Sequence, residues 1–529
     1  MRRWNGWGDT AVAYPLGQGA RRFLQDKLGP GTAPRDAALE EVVRRVPPTR
    51  LPPHPLVATD PEQRVRHALG QSFPDWVAAR SGNIPAVPDG VAFPSTNEEI
   101  RELLRYAAEA GAWVIPYGGG TSVVGHLRVE AEGAPVLCVD MERMSGFIHL
   151  DEASNLATFG AGVKGPHLEA FLRARGFTLG HYPQSFEYST LGGWVATRSK
   201  GHQALGYGSM EELFTGGRLE APAGTLLVPP FPASAAGPDL RALILGSEGR
   251  AGILTEATVR VRRIPEAETF YGVFFPALDQ GVAAVREIMN ARVPLSMLRL
   301  STPDETVTNL SLAGNEVFVS LLEGLVAMRG AGPGKCMLVL GASGPRAHVR
   351  FAVREALAIA RRYYGVPVGR RFGHEWIKQR FRTPYLRNTL WELGYGVDTL
   401  ETAASWSRMP SLIGAVEQAL RRALEQYGER VFVFSHLSHP YLTGSNLYTT
   451  FLFRLSPDPQ ESLHRWQLLK SAASRAIVAT GGTISHQHGV GLDHRPYLQA
   501  EKGALGLTLI ASLCRSLDPA GIMNPGKLV

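Results

Sequence analysis

The stretch PYGGGTSVVG, residues 116–125, decides the fold. It directly follows a short apolar run at residues 113–115 that has the composition of a strand. Three consecutive glycines let neighbouring backbone N–H groups point toward one place, and such a nest binds an anion such as a pyrophosphate. The G-x-G-x-x-G spacing of a Rossmann fingerprint is absent, and no long amphipathic helix follows. The stretch therefore predicts a phosphate-binding turn outside the Rossmann fold.

Two further glycine-rich stretches follow. QSFEYSTLGGWVATRSKG, residues 184–201, carries Gly192 and Gly193 among hydroxyl and guanidinium donors. GSEGRAGILTEATVRV, residues 246–261, leads into a strand with alternating apolar and polar positions. Its glycines match the dinucleotide-binding spacing only superficially, because a strand and not a helix follows them. Three glycine turns in this order, each beside a strand, form a specific combination.

The composition excludes several classes of protein. Of the 529 residues, 44% are hydrophobic and 19% are charged, which excludes wholesale disorder. No run approaches the ~18 apolar residues of a membrane span, and the N-terminus lacks the apolar core of a secretory signal. The net charge of +7 is spread along the chain, so no nucleic-acid partner is expected. We expect a bacterial cytoplasmic protein with, at most, peripheral contact to an anionic membrane surface.

The three cysteines carry no chemistry of their own. Cys138, Cys336 and Cys514 lie far apart in apolar surroundings, so they form neither a disulfide framework nor a four-cysteine zinc site. We expect them to be buried as small hydrophobic side chains.

The pattern along the chain predicts four parts. They are an N-terminal segment (1–83) with a proline-rich connection, a first domain (84–265), an α+β second domain (266–462) and a helical C-terminal segment (463–529). In the first domain, Ser95 and Glu98 have the spacing of a capping box, and a helix with apolar positions 100, 103, 104 and 107 follows. In the second, strands are predicted at residues 317–322, 337–340 and 431–434.

The three glycine turns resemble the FAD-binding domain of the vanillyl-alcohol-oxidase type (PCMH-type) flavoproteins. The central turn and the C-terminal motifs narrow the resemblance to the alkyldihydroxyacetonephosphate synthase family. It runs from RRWNGWGD at residues 2–9 to DPAGIMNPGKL at residues 518–528. The implied fold is α+β: a two-subdomain PCMH-type FAD-binding domain, an α+β cap domain with a ferredoxin-like sheet, and helical N- and C-terminal segments.

The resemblance implies FAD as the cofactor. Because no histidine lies between Pro116 and Gly125 to attach the flavin, noncovalent binding is expected, and His126 is the nearest exception. The residues that match the cofactor segments of the family are Pro116, Tyr117, Gly118, Gly119, Gly120, Thr121, Ser122, Gln184, Ser185, Ser189, Thr190, Gly193, Thr197, Arg198, Ser199, Glu248, Gly249, Gly252, Ile253 and Leu254.

The resemblance also implies an active site. Its tyrosine matches Tyr448 in TGSNLYTTFLF, and its histidine loop matches His486, Gln487 and His488 in ISHQHGVG. Its substrate-binding arginines match Arg299 in PLSMLRL and Arg387 in PYLRNTL. The family loop usually has three consecutive histidines, so Gln487 is a departure that bears on the acid–base chemistry.

The residue types permit several roles. Two histidines on one side of an extended loop can shuttle protons near neutral pH. Metal ligation, with His436 and His439 as further ligands, is the weaker alternative, and no metal is expected. Tyr448 would need a nearby cation or histidine to act as a base, and by itself it is also consistent with a strand-core tyrosine. Taken alone, Arg299 and Arg387 are equally consistent with surface ion pairs.

Two activities follow from these readings. The first, implied by the resemblance, exchanges the acyl group of acyl-dihydroxyacetone phosphate for a fatty alcohol, without net redox. Tyr448 or a loop histidine would take a proton, the arginines would hold the phosphate, and a long apolar tunnel would receive the lipids. The alternative is an FAD-dependent dehydrogenase or oxidase of a D-lactate- or glycolate-type 2-hydroxy acid, with a small closed polar site. The expected assembly is a homodimer.

Overall fold

The first glycine turn follows a strand of a four-stranded sheet. The structure, a computed structural model, describes residues 1–129, 133–312 and 316–529. Two strands run parallel to a central one, and the outermost is antiparallel, in the order β1-β2-β4-β3. The strands are β1 (Val57–Ala58), β2 (Gly90–Ala92), β3 (Trp113–Tyr117) and β4 (Val136–Asp140).

A second, antiparallel sheet follows, in the order β5-β6-β10-β8-β9, and β7 pairs separately with β11. Its amphipathic strand, predicted after the third glycine turn, is confirmed as β10. The strands are β5 (Phe147–Asp151), β6 (Leu156–Gly160), β7 (Phe177–Thr178), β8 (Phe214–Ala221), β9 (Gly224–Val228), β10 (Ile253–Arg260) and β11 (Arg262–Arg263).

Short helices flank these two sheets. The helices of this part of the chain are α1 (Gln18–Leu28), α2 (Leu39–Val43), α3 (Pro61–Arg66), α4 (Phe73–Ser81), α5 (Asn97–Glu109), α6 (Gly165–Arg173), α7 (Leu191–Thr197), α8 (Ala204–Tyr207), α9 (Met210–Leu213) and α10 (Arg241–Ile244).

The third sheet has seven antiparallel strands in the order β15-β12-β14-β13-β17-β18-β16. The pairing of β16 with β18 places Glu401 directly opposite Tyr448. The strands are β12 (Ala267–Phe275), β13 (Met297–Ser301), β14 (Cys336–Gly344), β15 (Val366–Gly369), β16 (Tyr395–Ser405), β17 (Phe432–Leu437) and β18 (Gly444–Arg454).

Long helices pack apolar side chains into one core with this sheet, among them Ala284, Ala356, Leu412 and Leu469. The helices of this part of the chain are α11 (Leu278–Asn290), α12 (Pro303–Leu312), α13 (Glu316–Met328), α14 (Arg346–Arg362), α15 (Arg370–Gln379), α16 (Leu386–Glu392), α17 (Met409–Arg422), α18 (Pro459–Ala479) and α19 (Leu498–Leu517).

Helix α5 can be compared with the prediction made from its local sequence pattern. All four predicted apolar positions, Ile100, Leu103, Leu104 and Ala107, are buried. The predicted capping box is wrong by one residue, because the Thr96 hydroxyl accepts the Glu99 amide and Ser95 donates to the Glu99 carboxylate. Two overlapping hydroxyl–acid pairs satisfy the same three-residue spacing, so the sequence does not select between them.

The strand predicted at residues 317–322 is wrong, since these residues belong to helix α13. A short run of β-branched and aromatic residues is compatible with a buried helix as well as with a strand. The predicted strands at 337–340 and 431–434 are confirmed within β14 and β17, with bounds shifted by a few residues.

The predictions on cysteines and membrane segments can be compared directly. Cys138, Cys336 and Cys514 are free and buried, as expected. Among the described residues, none of the helices has the length and apolar character needed to span a membrane.

Candidate active site

One large cavity of about 810 Å³ connects the glycine turns with the third sheet. A volume of this size falls within the range of sites for small molecules and cofactors. Nearly all the residues singled out in the sequence line it: Pro116, Tyr117, Gly118, Gly119, Gly120, Thr121, Ser122, Gln184, Ser185, Ser189, Thr190, Gly193, Thr197, Ser199, Glu248, Gly249, Gly252, Ile253, Leu254, Arg299, Arg387, Tyr448, Gln487 and His488.

The loop after β3 is packed tightly against the neighbouring polypeptide. A side chain at Gly119 would overlap the Tyr188 carbonyl, and one at Gly118 would overlap the Thr190 hydroxyl. Gly120 has a positive φ of 63°. Glycine is therefore required here by contacts within the protein, which hold the loop in one shape.

This shape leaves hydrogen-bond donors available. Within the described chain, the amide groups of Gly119, Gly120, Thr121 and Ser122 donate to no other protein group. Nearby, the Asn524 side-chain oxygen is buried and also unpartnered. Amides that line a cavity without acceptors fit the phosphate groups of a dinucleotide. The residues present therefore fit FAD at this end of the cavity.

Glu248 joins the third glycine turn to the histidine loop. Its carboxylate accepts the amides of Val490 and Gly491, the latter at 2.9 Å, and its Oε2 lies 3.0 Å from His126 Nε2. Its backbone carbonyl accepts Asn524 Nδ2 at 2.8 Å. Glu248 thus fixes the histidine loop beside the cofactor end.

Tyr448 projects from β18 between two imidazole rings. His436 stacks on its ring at 4.8 Å between centroids, and His488 meets it edge-on at 5.9 Å. Burial, together with the adjacent Glu401, raises the pKa of the Tyr448 hydroxyl, so this group is protonated at neutral pH. In this state the hydroxyl can donate a hydrogen bond and does not act as a base.

The histidine loop surrounds a carboxyl group that the sequence did not single out. Gln487 Nε2 donates to Glu401 Oε1 at 2.8 Å. The other oxygen, Oε2, lies 3.9 Å from both His486 Nδ1 and His488 Nε2. Both histidines approach this group, and so does Gln487 between them, so the contacts do not follow the alternation expected of an extended segment. Burial lowers the pKa of His488 to about 3, so its imidazole is neutral.

Arg387 is the best-placed cation for an anionic substrate. It stacks on Trp76 at 4.2 Å and donates Nη1 to the Gln71 carbonyl, whereas its buried Nη2 has no partner. Burial lowers its pKa only to about 10, so the charge is kept. Among the described residues, no carboxylate lies within ion-pair distance of Arg387.

Arg299 lines the same cavity, but its charge is compensated. Its Nη2 donates to Glu305 Oε1 at 2.7 Å, and His436 Nδ1 lies 2.9 Å from that oxygen. Burial alone would raise the pKa of Glu305, yet Arg299 and His436 hold it at about 2. Arg299 therefore belongs to a buried ion pair and not to a surface one.

Arg380 is a further cation of the cavity wall, and the sequence analysis missed it. It lies 4.6 Å from the ring centres of both Tyr182 and Phe381, and its Nη1 contacts Gln203 Oε1 at 3.4 Å. In the part of the chain that the structure describes, it has no acidic partner. Its position four residues before the PYLRNTL motif was the only sequence signal.

Two predicted residues lie outside the cavity wall. Arg198 ends helix α7 with a positive φ of 53° and donates its Nε to the Leu245 carbonyl. The His486 ring points away from the cavity, where its Nε2 lies 2.7 Å from the Tyr441 hydroxyl. Among the described residues, no three His, Cys, Asp or Glu side chains are grouped to hold a metal ion.

The cavity continues as an apolar arm away from the glycine turns. Helix α1 contributes one side of the arm, and the third sheet with α12 and α16 contributes the other. The same residues form a separate apolar cluster. Side chains that line the arm are Leu16, Ala20, Phe23, Leu24, Leu312, Leu390, Val397, Phe432, Phe434 and Leu452.

Two family models match the two parts of the chain that meet at the cavity. Residues 88–228 match the FAD binding domain family, and residues 264–528 match the C-terminal domain of FAD linked oxidases. The alkyldihydroxyacetonephosphate synthase of Caenorhabditis elegans is 30% identical, over 88% of this chain and 80% of its own length. This chain belongs to the alkyldihydroxyacetonephosphate synthase family.

Other members agree over the full length. The alkyldihydroxyacetonephosphate synthase of Dictyostelium discoideum is 29% identical over 100% of this chain and 93% of its own. A solved alkyldihydroxyacetonephosphate synthase structure superposes with a TM-score of 0.85 at 27% identity, and the match covers 100% of this chain and 99% of that one. The fold is therefore the two-domain, PCMH-type FAD-binding fold of this family, and FAD is its cofactor, as predicted.

Proposed function

We propose that this chain exchanges the acyl group of acyl-dihydroxyacetone phosphate for a fatty alcohol, forming an ether. The observation that carries the proposal is one cavity that joins an FAD-binding end, an apolar arm and Arg387, whose Nη2 has no hydrogen-bond partner among the described residues. FAD, held by the glycine-rich loop after β3, would supply an electron-accepting ring for the exchange. A small 2-hydroxy acid would not need the apolar arm, which favours the synthase over the dehydrogenase alternative.

The side chains of the cavity support specific roles. Arg387, with Arg380 as a second donor, would bind the substrate phosphate, because guanidinium groups match phosphate oxygens. The neutral His488 imidazole lines the cavity, has a buried Nδ1 with no hydrogen-bond partner among the described residues, and would accept a proton from the substrate carbon. Tyr448, protonated between His436 and His488, would donate a hydrogen bond to the substrate oxygen.

The apolar arm gives the test of this function. Ala20 is buried on helix α1 and lines the arm. Replacing it by Phe shortens the space available to an alkyl chain, so we expect Ala20→Phe to lose activity with long-chain alcohols and keep it with short ones. Gln25→Phe, on the exposed face of the same helix, should leave chain-length selectivity unchanged. Equal effects on all chain lengths would contradict the role of the arm.

We further propose that helix α13 contacts a membrane surface. It follows α12, whose Leu312 lines the apolar arm, and it exposes Leu321, Leu325 and Met328 at helical spacing. Substrates with alkyl chains would reach the arm from this side. A Leu321→Ser, Leu325→Ser double variant should lose co-flotation with anionic vesicles and keep activity on short-chain, water-soluble substrates. Flotation equal to wild type would contradict the contact.

A further inference from the structure

We propose that His488, Glu401, His486 and Tyr441 form a proton relay that leads from the cavity to the protein surface. The inference deepens the proposed function and rests on it for its catalytic purpose, whereas the order of the four groups is taken from the geometry. His488 lines the cavity, and Tyr441 is 39% exposed at the other end. Glu401 and His486 lie between them, and the His486 side chain is only 5% exposed.

The chemistry of the proposed reaction requires such a route. The alcohol O–H bond and the ester C–O bond break, an ether C–O bond forms, and no electrons are transferred overall. The fatty acid leaves as a carboxylate, because carboxyl groups titrate near pH ~4. One proton therefore remains in the buried site after every turnover and must reach solvent.

The atoms are ordered for transfer in one direction. A proton that enters His488 at Nδ1 leaves from Nε2, which lies 3.9 Å from Glu401 Oε2. The carboxyl group passes its own proton to His486 Nδ1, also 3.9 Å from Oε2, and is restored by the proton from His488. Both 3.9 Å contacts lie beyond hydrogen-bond distance, so each transfer requires the two side chains to approach by roughly 1 Å. His486 then releases a proton from Nε2 to the Tyr441 hydroxyl at 2.7 Å. Each imidazole receives at one nitrogen and releases at the other, so each transfer leaves both rings in the opposite tautomer, and both rings rotate or exchange the proton back before the next transfer.

Gln487 fits this arrangement better than an ionisable residue would. Its amide holds Glu401 Oε1 at 2.8 Å, which leaves Oε2 as the buried, unpartnered oxygen between the two histidines. An amide does not titrate at physiological pH, so it orients the carboxyl group without competing for the proton.

The surroundings keep the relay groups neutral at rest. Burial raises the pKa of Glu401, although Lys200 and the Gln487 hydrogen bond oppose this shift. Burial lowers the pKa of His486, and His439, Lys200 and His488 act in the same direction. Tyr448 faces Glu401 across the β16–β18 pairing. Neutral neighbours favour passing a proton onward over storing it.

The relay can be tested without turnover. In the FAD-loaded protein, infrared spectroscopy should show a protonated carboxyl C=O band that is absent in Glu401→Gln. After transfer to D₂O, this band should shift quickly in wild type and at least about tenfold more slowly in Tyr441→Phe. Tyr427→Phe is the matched control, since Tyr427 forms a similar surface pair with His464 at 3.2 Å. Absence of the band in wild type overturns the relay. Equal exchange rates in wild type, Tyr441→Phe and Tyr427→Phe overturn it as well.

Measurements of turnover give a second test of the relay. We expect kcat of Tyr441→Phe to fall about tenfold or more and to recover as imidazole buffer is added, because a small base replaces the surface end of the relay. Wild-type kcat in Tyr441→Phe, or a loss that imidazole does not restore, overturns it. If wild type forms no ether, the proposed function fails, and the exchange measurement still decides the relay.

Discussion

At the scale of single residues, the two arginines of the site differ in their partners. Arg299 forms a buried ion pair with Glu305, so its removal would leave a buried carboxylate without its cation. Arg387 has a buried Nη2 with nothing to bind. Of the two, Arg387 therefore has the free hydrogen-bonding capacity that a substrate phosphate requires.

We expect Arg387→Gln to raise KM for acyl-dihydroxyacetone phosphate by about 10- to 100-fold, since a hydrogen bond to a charged group contributes roughly 1.5–3 kcal/mol. FAD content, measured from the flavin absorbance of the purified protein, should match wild type. Arg354→Gln, at an exposed pair with Glu355, is the matched control. An unchanged KM in Arg387→Gln would remove Arg387 from the phosphate site.

At the scale of elements, the loop after β3 derives its shape from a neighbouring segment. The sequence predicts glycines here to make room for a pyrophosphate, but the structure adds a different reason. A Cβ on Gly119 would meet the Tyr188 carbonyl, so the loop would be displaced even before a cofactor arrives.

Gly119→Ala should therefore reduce FAD retention after purification, because one methyl group moves the amides away from the phosphates. Gly146→Ala is the control, as nothing lies within 4 Å of a Cβ there and its φ is not positive. Both variants are compared by their ratio of bound flavin to protein. Full flavin content in Gly119→Ala would show that the loop tolerates displacement.

Local patterns predict elements well when one face is buried. The apolar positions of α5 are confirmed, because they depend on a period within one helix. β10 is confirmed as a strand, but its burial does not alternate, since Thr255 and Thr258 are buried as well as the apolar residues. The strand predicted at residues 317–322 is wrong for the opposite reason. It is short and nearly continuous in apolar residues, so its period does not distinguish a helix from a strand.

At the scale of the whole molecule, the site is assembled from segments that are distant in sequence. Motifs identify Tyr448, Gln487 and His488 on the cavity wall, but Glu401 enters only through the register of β16 against β18. Likewise, Glu248 reaches the amide of Val490 from 242 residues away. Partners of this kind depend on strand pairing and domain packing, which one sequence read locally does not contain.

The same assembly explains why one cavity can serve a charged headgroup and a lipid chain. The FAD-binding sheets supply the glycine turns, and helix α16 supplies Arg387. The third sheet supplies Tyr448 and His436, and together with helix α1 it forms the apolar arm. The central claim is that this cavity exchanges an acyl chain for an alkyl chain without net redox.

Product analysis by mass spectrometry tests that claim most directly. The FAD-loaded protein is incubated with acyl-dihydroxyacetone phosphate and a fatty alcohol in the absence of any electron acceptor. We predict an ether product and one released fatty acid for each ether formed. No ether product, together with flavin reduction by D-lactate or another 2-hydroxy acid, would contradict the claim and assign the chain to the dehydrogenases of this fold.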